Sequence, residues 1–417
     1  MDKRIISAIA VSLLGVSSVF AQQALWSGRN IKSPEVNPDG SVTFRFHAPK
    51  AVSVQVTGDF LPSQKLETPM GTYDAPGVAD LKEGENGVWE YTSAPLDGEL
   101  YSYTFRVDGL SSLDPSTIYL CRDVASTTNI FIVSREKGDA GDLYSVNEVP
   151  HGNVSKVWYD SPTLKMQRRM TVYTPAGYEN SGKKRYPVLY LLHGAGGDED
   201  AWSVLGRAAQ VLDNLIASGK AEPMIVVMPN GNPTCQAAPG EWSAGMYVPA
   251  FGRPVEGLPV TPVATMEESF PDIVNYIDGH YRTLADKKHR AICGLSMGGG
   301  HSFGISRMYP KMFDYVGLFS AGLSVGRSFN GAQRMSFLEQ LESDADAQAS
   351  IKALFDAKPK LYWIGCGKTD FLYKSNEDLR TYLTKNNYPF EYLETEGGHI
   401  WRNWRVYLTV FSQKLFK

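Results

Sequence analysis

Two glycines, Gly294 and Gly298, stand two residues either side of Ser296 in the run HRAICGLSMGGGH at 289–301. That spacing restricts the fold more than any other feature of the chain. The pentapeptide Gly294-Leu295-Ser296-Met297-Gly298 follows the apolar run Ala291-Ile292-Cys293 and precedes a segment at 301–308 able to form a helix. In a strand–turn–helix this tight, the two elements pass so closely that the residues two before and two after the serine must be small. The serine then takes a strained backbone conformation at the end of its strand. A chain rich in glycine contains such pentapeptides by accident, so the context decides.

Around that turn, strands and helices alternate. Strand-like runs fall at 154–159, 168–173, 187–192, 224–228, before the serine at Ala291, at 316–319 and at 361–364, and a helical stretch covers 208–218. Continuous apolar strands separated by helices predict an α/β domain with a mainly parallel sheet covered on both faces. Ligands of such sheets sit at the carboxyl ends of the strands.

From 22 to 149 the period is two instead. Val42, Phe44 and Phe46 alternate with Thr43, Arg45 and His47; Val52, Val54 and Val56 alternate again, as do Tyr101, Tyr103, Phe105 and Val107. Turn signals at Pro38-Asp39-Gly40, Asp97-Gly98 and Asp108-Gly109 separate these strands, which predicts a small all-β, immunoglobulin-like sandwich. Composition turns polar between Tyr144 and Val154, with Pro150 and Gly152, so the boundary is placed there: a sandwich over 22–149, then the α/β domain over 150–417. A length of 417 residues suits two domains.

The first residues, MDKRIISAIAVSLLGVSSVFAQQA, have Lys3 and Arg4, an apolar stretch at 5–16, and small residues at Val19 and Ala21 where signal peptidase reads. Residues 1–21 are expected to be an export signal cleaved after Ala21, giving a periplasmic or secreted protein with no membrane span. A formal net charge of −4 and the lack of any Lys/Arg run argue against nucleic acid as a partner. Cys121, Cys235, Cys293 and Cys366 are not spaced as a metal site, and no metal or cofactor is expected. Cys293 and Cys366 lie in apolar runs and are expected to be buried thiols, while Cys235 is free or paired. Oligomeric state is not legible.

Ser296 needs a base, and the base an acid to fix its tautomer. His47, His151, His193, His280 and His289 all precede Ser296, and His301 follows it on the helix leading away. Only His399, in the glycine-rich turn Glu396-Gly397-Gly398-His399, comes after both Ser296 and Asp370. Asp370 follows the strand-like run at 360–364, where a triad acid belongs, and Glu394 and Glu396 are its rivals. Nucleophile, acid, histidine is the chain order of α/β-hydrolases. An oxyanion needs two backbone N–H donors. Met297 supplies one, and Ala195, in the run Leu192-His193-Gly194-Ala195-Gly196-Gly197, is the choice for the other.

Residues 230–265 show little secondary-structure signal and many prolines and glycines, as a lid or binding loop would. With Trp242 and Tyr247 from that loop, Trp202, Trp401 and Trp404 are expected to build an aromatic cleft, although any single tryptophan suits the core as well.

LLHGAGGDEDAW, AICGLSMGG, GCGKTDFLY and GGHIWRNWR, in this order over about 154–417, resemble carbohydrate esterase family 1, the esterase D-like group of feruloyl and acetylxylan esterases. The segments FRFHAPKAVSVQVTGDF, GVWEYTSAPLDGELYSYTFRVDG and Asp114-Pro115 look like a family 48 carbohydrate-binding module, with Trp89 either a sugar platform or a packed residue. The resemblance implies an α/β-hydrolase with Ser296 as nucleophile, His399 as base, Asp370 as acid, and Ala195 and Met297 as oxyanion donors. It implies feruloylated or acetylated xylan as substrate.

The same domain resembles enterochelin esterases, S-formylglutathione hydrolases and mycolyltransferases. Export argues against the second, and a catecholate site would want more cations than the Arg253 of the proposed lid. A non-catalytic carbohydrate-binding protein on a disabled hydrolase scaffold is the rival of a different class, against which the intact triad speaks.

Overall fold

The structure is a computed structural model that describes residues 31–68, 71–243, 262–325 and 335–417. The export segment and Tyr247 lie outside the described residues. The chain divides into two compact units, the first reaching Leu120 and resuming over Thr128–Arg135, the second made of Cys121–Thr127 and Glu136–Lys417.

The first unit is all β. One sheet runs Glu35–Val36, Val42–His47, Val88–Thr92, Lys82–Glu83; a second includes Ser126–Val133, Glu99–Val107, Val54–Gly58 and Gly77–Asp80 in that order. Neighbouring strands are antiparallel throughout. The period-two pattern aims one face of each strand inward, so Val42 and Phe44 from one sheet share a core with Val54, Val56, Tyr101, Tyr103 and Phe105 from the other. Val52 departs from the expected alternation: it precedes its strand and is 89 % exposed. Trp89 is a packed residue, buried in this core with its indole N–H donating to Ala48 O at 3.0 Å.

The second unit contains an eight-stranded sheet. Its strands are β1 (Asn153–Ser161), β2 (Met166–Thr174), β3 (Val188–Leu192), β4 (Ile225–Pro229), β5 (Arg290–Leu295), β6 (Tyr315–Phe319), β7 (Leu361–Gly367) and β8 (Glu391–Thr395), ordered β1-β2-β4-β3-β5-β6-β7-β8. Only β2 runs against the rest; β4 through β8 pair in parallel. The inner apolar runs become strands because they are buried on both sides: every residue of β3, β4 and β6 is covered. Helices α1 (Ala208–Ala217), α2 (Met266–His280), α3 (Met297–Met308), α4 (Tyr373–Lys385) and α5 (Trp401–Ser412) provide the cover. Helix α2 starts on a capping box, Thr265 accepting from the Glu268 amide and Glu268 accepting from the Thr265 amide.

The second unit takes up at Glu136 rather than at 150. The short helix Ala140–Tyr144 is held by Asn214 of α1, whose side-chain amide donates to the carbonyls of Asp142, Leu143 and Ser145. All four cysteines are buried and free. Burial pushes the Cys293 thiol well up and that of Cys366 up to about 12, so both behave as small apolar side chains.

Candidate active site

Ser296 closes β5 and caps α3 with φ 53° and ψ −114°, a region that side-chain-bearing residues rarely adopt. Its amide donates to Phe319 O at 2.9 Å, and its carbonyl accepts from Gly300 and Gly322 at 3.0 and 2.8 Å. The strain is thus held by β6 and the residues just after it. The flanking glycines are required by space: a Cβ on Gly294 would lie 2.6 Å from the Gly298 carbonyl, and one on Gly298 would lie 2.5 Å from the carbonyl oxygens of Leu192 and His193.

Asp370 follows β7 and His399 follows β8, so both lie at the same edge of the sheet as Ser296. His399 Nδ1 is 2.9 Å from Asp370 Oδ2 and 3.1 Å from Oδ1. Asp370 is fully covered, whereas the His399 side chain is 18 % exposed. A carboxylate on Nδ1 fixes the proton there in the neutral ring and leaves Nε2 as the basic nitrogen. The rival acids are engaged elsewhere: Glu394 accepts from the hydroxyls of Tyr373 and Tyr392 at 2.8 and 3.1 Å, and Glu396 pairs with Lys368.

The His399 ring touches two aromatic side chains. Trp404 of α5 stands edge-on at 4.8 Å and Phe371 lies at 4.5 Å, tilted by 50°. The Trp404 indole donates to Ser320 Oγ at 3.2 Å, and the Ser320 amide donates to Gly365 O at 2.7 Å. The residues just after β6 therefore bind both parts: Gly322 holds the Ser296 turn and Ser320 holds the packing partner of His399.

The loop after β3 is clamped by His193. Its Nδ1 contacts Gly194 O at 2.7 Å, and its Nε2 accepts from the Gly231 amide at 2.7 Å, so the neutral Nδ1–H tautomer satisfies both. Burial pushes this imidazole below its ordinary range. Gly194 adjoins the elbow, since a Cβ on it would lie 3.3 Å from Ser296 Cβ. Ala195 is exposed on that loop, and Met297 is half-buried at the first turn of α3 with its Sδ-bound methyl over Gly231. His301, further along α3, bonds Glu267 of α2 at 2.7 Å through Nδ1.

Residues 230–243 are not a free lid. The fully buried Arg168 donates to the carbonyls of Asn230 and Asn232 at 2.6 and 2.7 Å and to Cys235 O at 3.2 Å. Beside it Glu199 accepts from Arg169 Nε at 2.6 Å, from the Ala238 amide at 2.9 Å and from Asn230 Nδ2 at 2.9 Å. Neither arginine stood out in the sequence as more than a polar interruption of β2. A doubled arginine inside an apolar strand is the signal that could have found them, because such a charge needs buried partners.

The expected aromatic cleft is only partly assembled. Trp202 is a core residue, 1 % exposed, with its indole donating to Leu192 O at 2.9 Å. Burial of the whole ring behind β3 removes it from any accessible surface. Trp401 is half-buried, edge-on to Trp202 and Trp404 at 5.3 and 5.2 Å. Trp242 is half-buried and its indole nitrogen has no hydrogen-bond partner among the described residues. Tyr247 falls outside them. Phe371, which no sequence pattern marks, is an exposed ring beside His399. No group of three or more metal-ligating side chains occurs among the described residues.

Residues 161–415 match the family model described as putative esterase. The chain belongs to the putative esterase family. The match takes in all three of Ser296, Asp370 and His399, and the second unit is a carboxylic ester hydrolase domain on an α/β-hydrolase fold. Over 392 residues the chain is 30 % identical to an endo-1,4-beta-xylanase/feruloyl esterase of Xylanibacter ruminicola, covering 92 % of this chain and 46 % of that protein. It therefore spans less than half the length of that relative. An esterase of Mycobacterium tuberculosis is 28 % identical over 340 residues, 73 % of this chain and 67 % of that one. Among solved structures, the enterobactin esterase of Shigella flexneri shares the fold over 90 % of this chain and 93 % of its own, with a TM-score of 0.59 at 16 % identity.

Proposed function

We propose that this chain is an exported serine esterase that removes feruloyl groups from plant cell-wall arabinoxylan by way of an acyl-enzyme on Ser296. The observation that carries the chemistry is the Asp370 carboxylate on His399 Nδ1, at the sheet edge where the strained Ser296 also sits. His399 Nε2 takes the Ser296 Oγ proton as the oxygen attacks the ester carbonyl. The amides of Ala195, on the loop after β3, and Met297, at the first turn of α3, are assigned as the donors that meet the tetrahedral oxyanion. Collapse expels the sugar alkoxide, protonated by the His399 imidazolium, and water then repeats the sequence on the acyl-serine to release the acid and restore Ser296.

The feruloyl reading is supported by the Xylanibacter relative, whose name pairs xylanase with feruloyl esterase and which aligns with nearly all of this chain. The all-β unit is taken as a family 48-like module. With Trp89 in its core, any sugar face there would have to use other aromatics. Export rests on the charged and apolar pattern of residues 1–21.

The test is turnover of methyl ferulate, feruloylated arabinoxylan oligosaccharides, acetylated xylan and a catecholate siderophore by the purified protein. Feruloyl esters should be hydrolysed best, and Ser296→Ala should lower kcat by roughly 10⁴-fold or more. Faster release of acetate would reassign it as an acetylxylan esterase. Preference for the siderophore would move it to the enterochelin type, and an active alanine variant would remove Ser296 from the mechanism.

A further inference from the structure

Phe371 is 76 % exposed, yet its ring lies 4.5 Å from the His399 imidazole. Scattered exposed apolar residues are ordinary on a protein surface. This one differs in being fixed at a set place. Asp370 Oδ1 accepts from the Leu372 amide at 2.8 Å and Asp370 O accepts from the Tyr373 amide at 2.9 Å, closing the turn that carries Phe371 into α4. One carboxylate thus orients the imidazole and pins the turn that displays the ring.

The chemistry says what lies next to that ring. His399 must hand a proton to the departing alkoxide, so the alcohol half of the ester has to sit within hydrogen-bond reach of its imidazole. Of the two rings in contact with His399, Trp404 is buried and Phe371 is open to solvent. The acyl half faces the oxyanion donors instead. An exposed ring beside the imidazole is within reach of the alcohol, and a sugar presents an apolar C–H face that can pack against it.

We propose that Phe371 is a specificity-determining platform for the sugar that leaves, resting on the reading of the protein as an esterase of acylated xylan. It discriminates among alcohols and is indifferent to whether the acyl group is feruloyl or acetyl.

The experiment crosses two acyl groups with two kinds of alcohol, simple and sugar: methyl ferulate and nitrophenyl acetate against feruloyl-arabinosyl and acetyl-xylosyl oligosaccharides. Phe371→Ala should lower kcat/KM on the sugar esters by about tenfold, mostly through KM, and by no more than about twofold on the simple esters. Phe371→Trp should recover most of the loss. Equal losses on both kinds of alcohol would make Phe371 a support for His399 and overturn the proposal, as would no loss on either. The wild-type arms judge the substrate reading separately: cleavage of the simple esters with no turnover of either sugar ester would overturn that reading and the sugar platform with it. Turnover of the acetyl sugar alone would correct the acyl group and leave Phe371 to be decided by its variants.

Discussion

Both carboxylate oxygens of Asp370 face a single atom of His399, Nδ1, at 2.9 and 3.1 Å. That leaves one chemical identity for the ring while it waits for substrate, with the proton on Nδ1. In Asp370→Asn the amide can donate to Nδ1 and hold the opposite tautomer, placing the proton on Nε2 where a base is needed. The expected result is a fall in kcat of about 10⁴-fold on nitrophenyl acetate at neutral pH with the fold retained. A variant within tenfold of the parent would mean that Asp370 only packs.

Gly298 admits no side chain, because both groups that a Cβ would strike are backbone carbonyls, Leu192 O and His193 O. Gly298→Ala should therefore cost about 1–3 kcal/mol in urea unfolding. It should also lower kcat, since the displaced backbone leads straight into Gly194 and Ala195. Stability lost without loss of turnover would separate the elbow from the loop that follows β3.

His193 is buried with its Nε2 accepting a hydrogen bond, and its folded pKa lies below the unfolded value. The unfolded chain therefore binds a proton that the folded one refuses. The stability this provides is complete above the unfolded value, about 6.5, and is lost progressively as pH falls towards the folded one. In His193→Gln the amide oxygen can accept from Gly231 without titrating. Thermal melts at pH 7.5 and 5 should show a smaller acid-induced drop in Tm for the variant than for the parent, and parallel drops would assign the acid sensitivity to other groups.

Arg168 donates to three carbonyls of residues 230–235. Arg168→Met keeps much of the packing volume and leaves those acceptors unpaired, each costing about 1–3 kcal/mol when buried. Hydrogen exchange should report faster protection loss at Gly231 and Ala238 than in β5. Uniform change across the sheet would point to global destabilisation and not to a loosened loop.

Much of the α/β unit was legible because its inner strands are buried on both faces, so each reads as an unbroken apolar run flanked by turns. The expected runs at 187–192, 224–228 and 316–319 fall on β3, β4 and β6 within a residue. The order of Ser296, Asp370 and His399 along the chain could be read because each follows a recognisable strand. The aromatic cleft could not. Trp202 and Phe371 look alike in sequence, and which is covered depends on the long-range packing of β3, β6 and α5, seen in the ring contacts of Trp202 with Phe319 and Trp401. The tethering of residues 230–243 was hidden for a related reason: loops rich in glycine and proline have no period, and their partners Arg168 and Glu199 lie more than thirty residues away.

Strands β5 to β8 lie side by side and point the same way, so the groups they carry emerge together although more than seventy residues separate the first from the second. Chain can be inserted or exchanged between β6 and β7, beyond Gly322, without altering the pitch of that row. Lineages of such proteins are free to remodel what surrounds the reacting bond while the machinery that breaks it stays where the sheet delivers it.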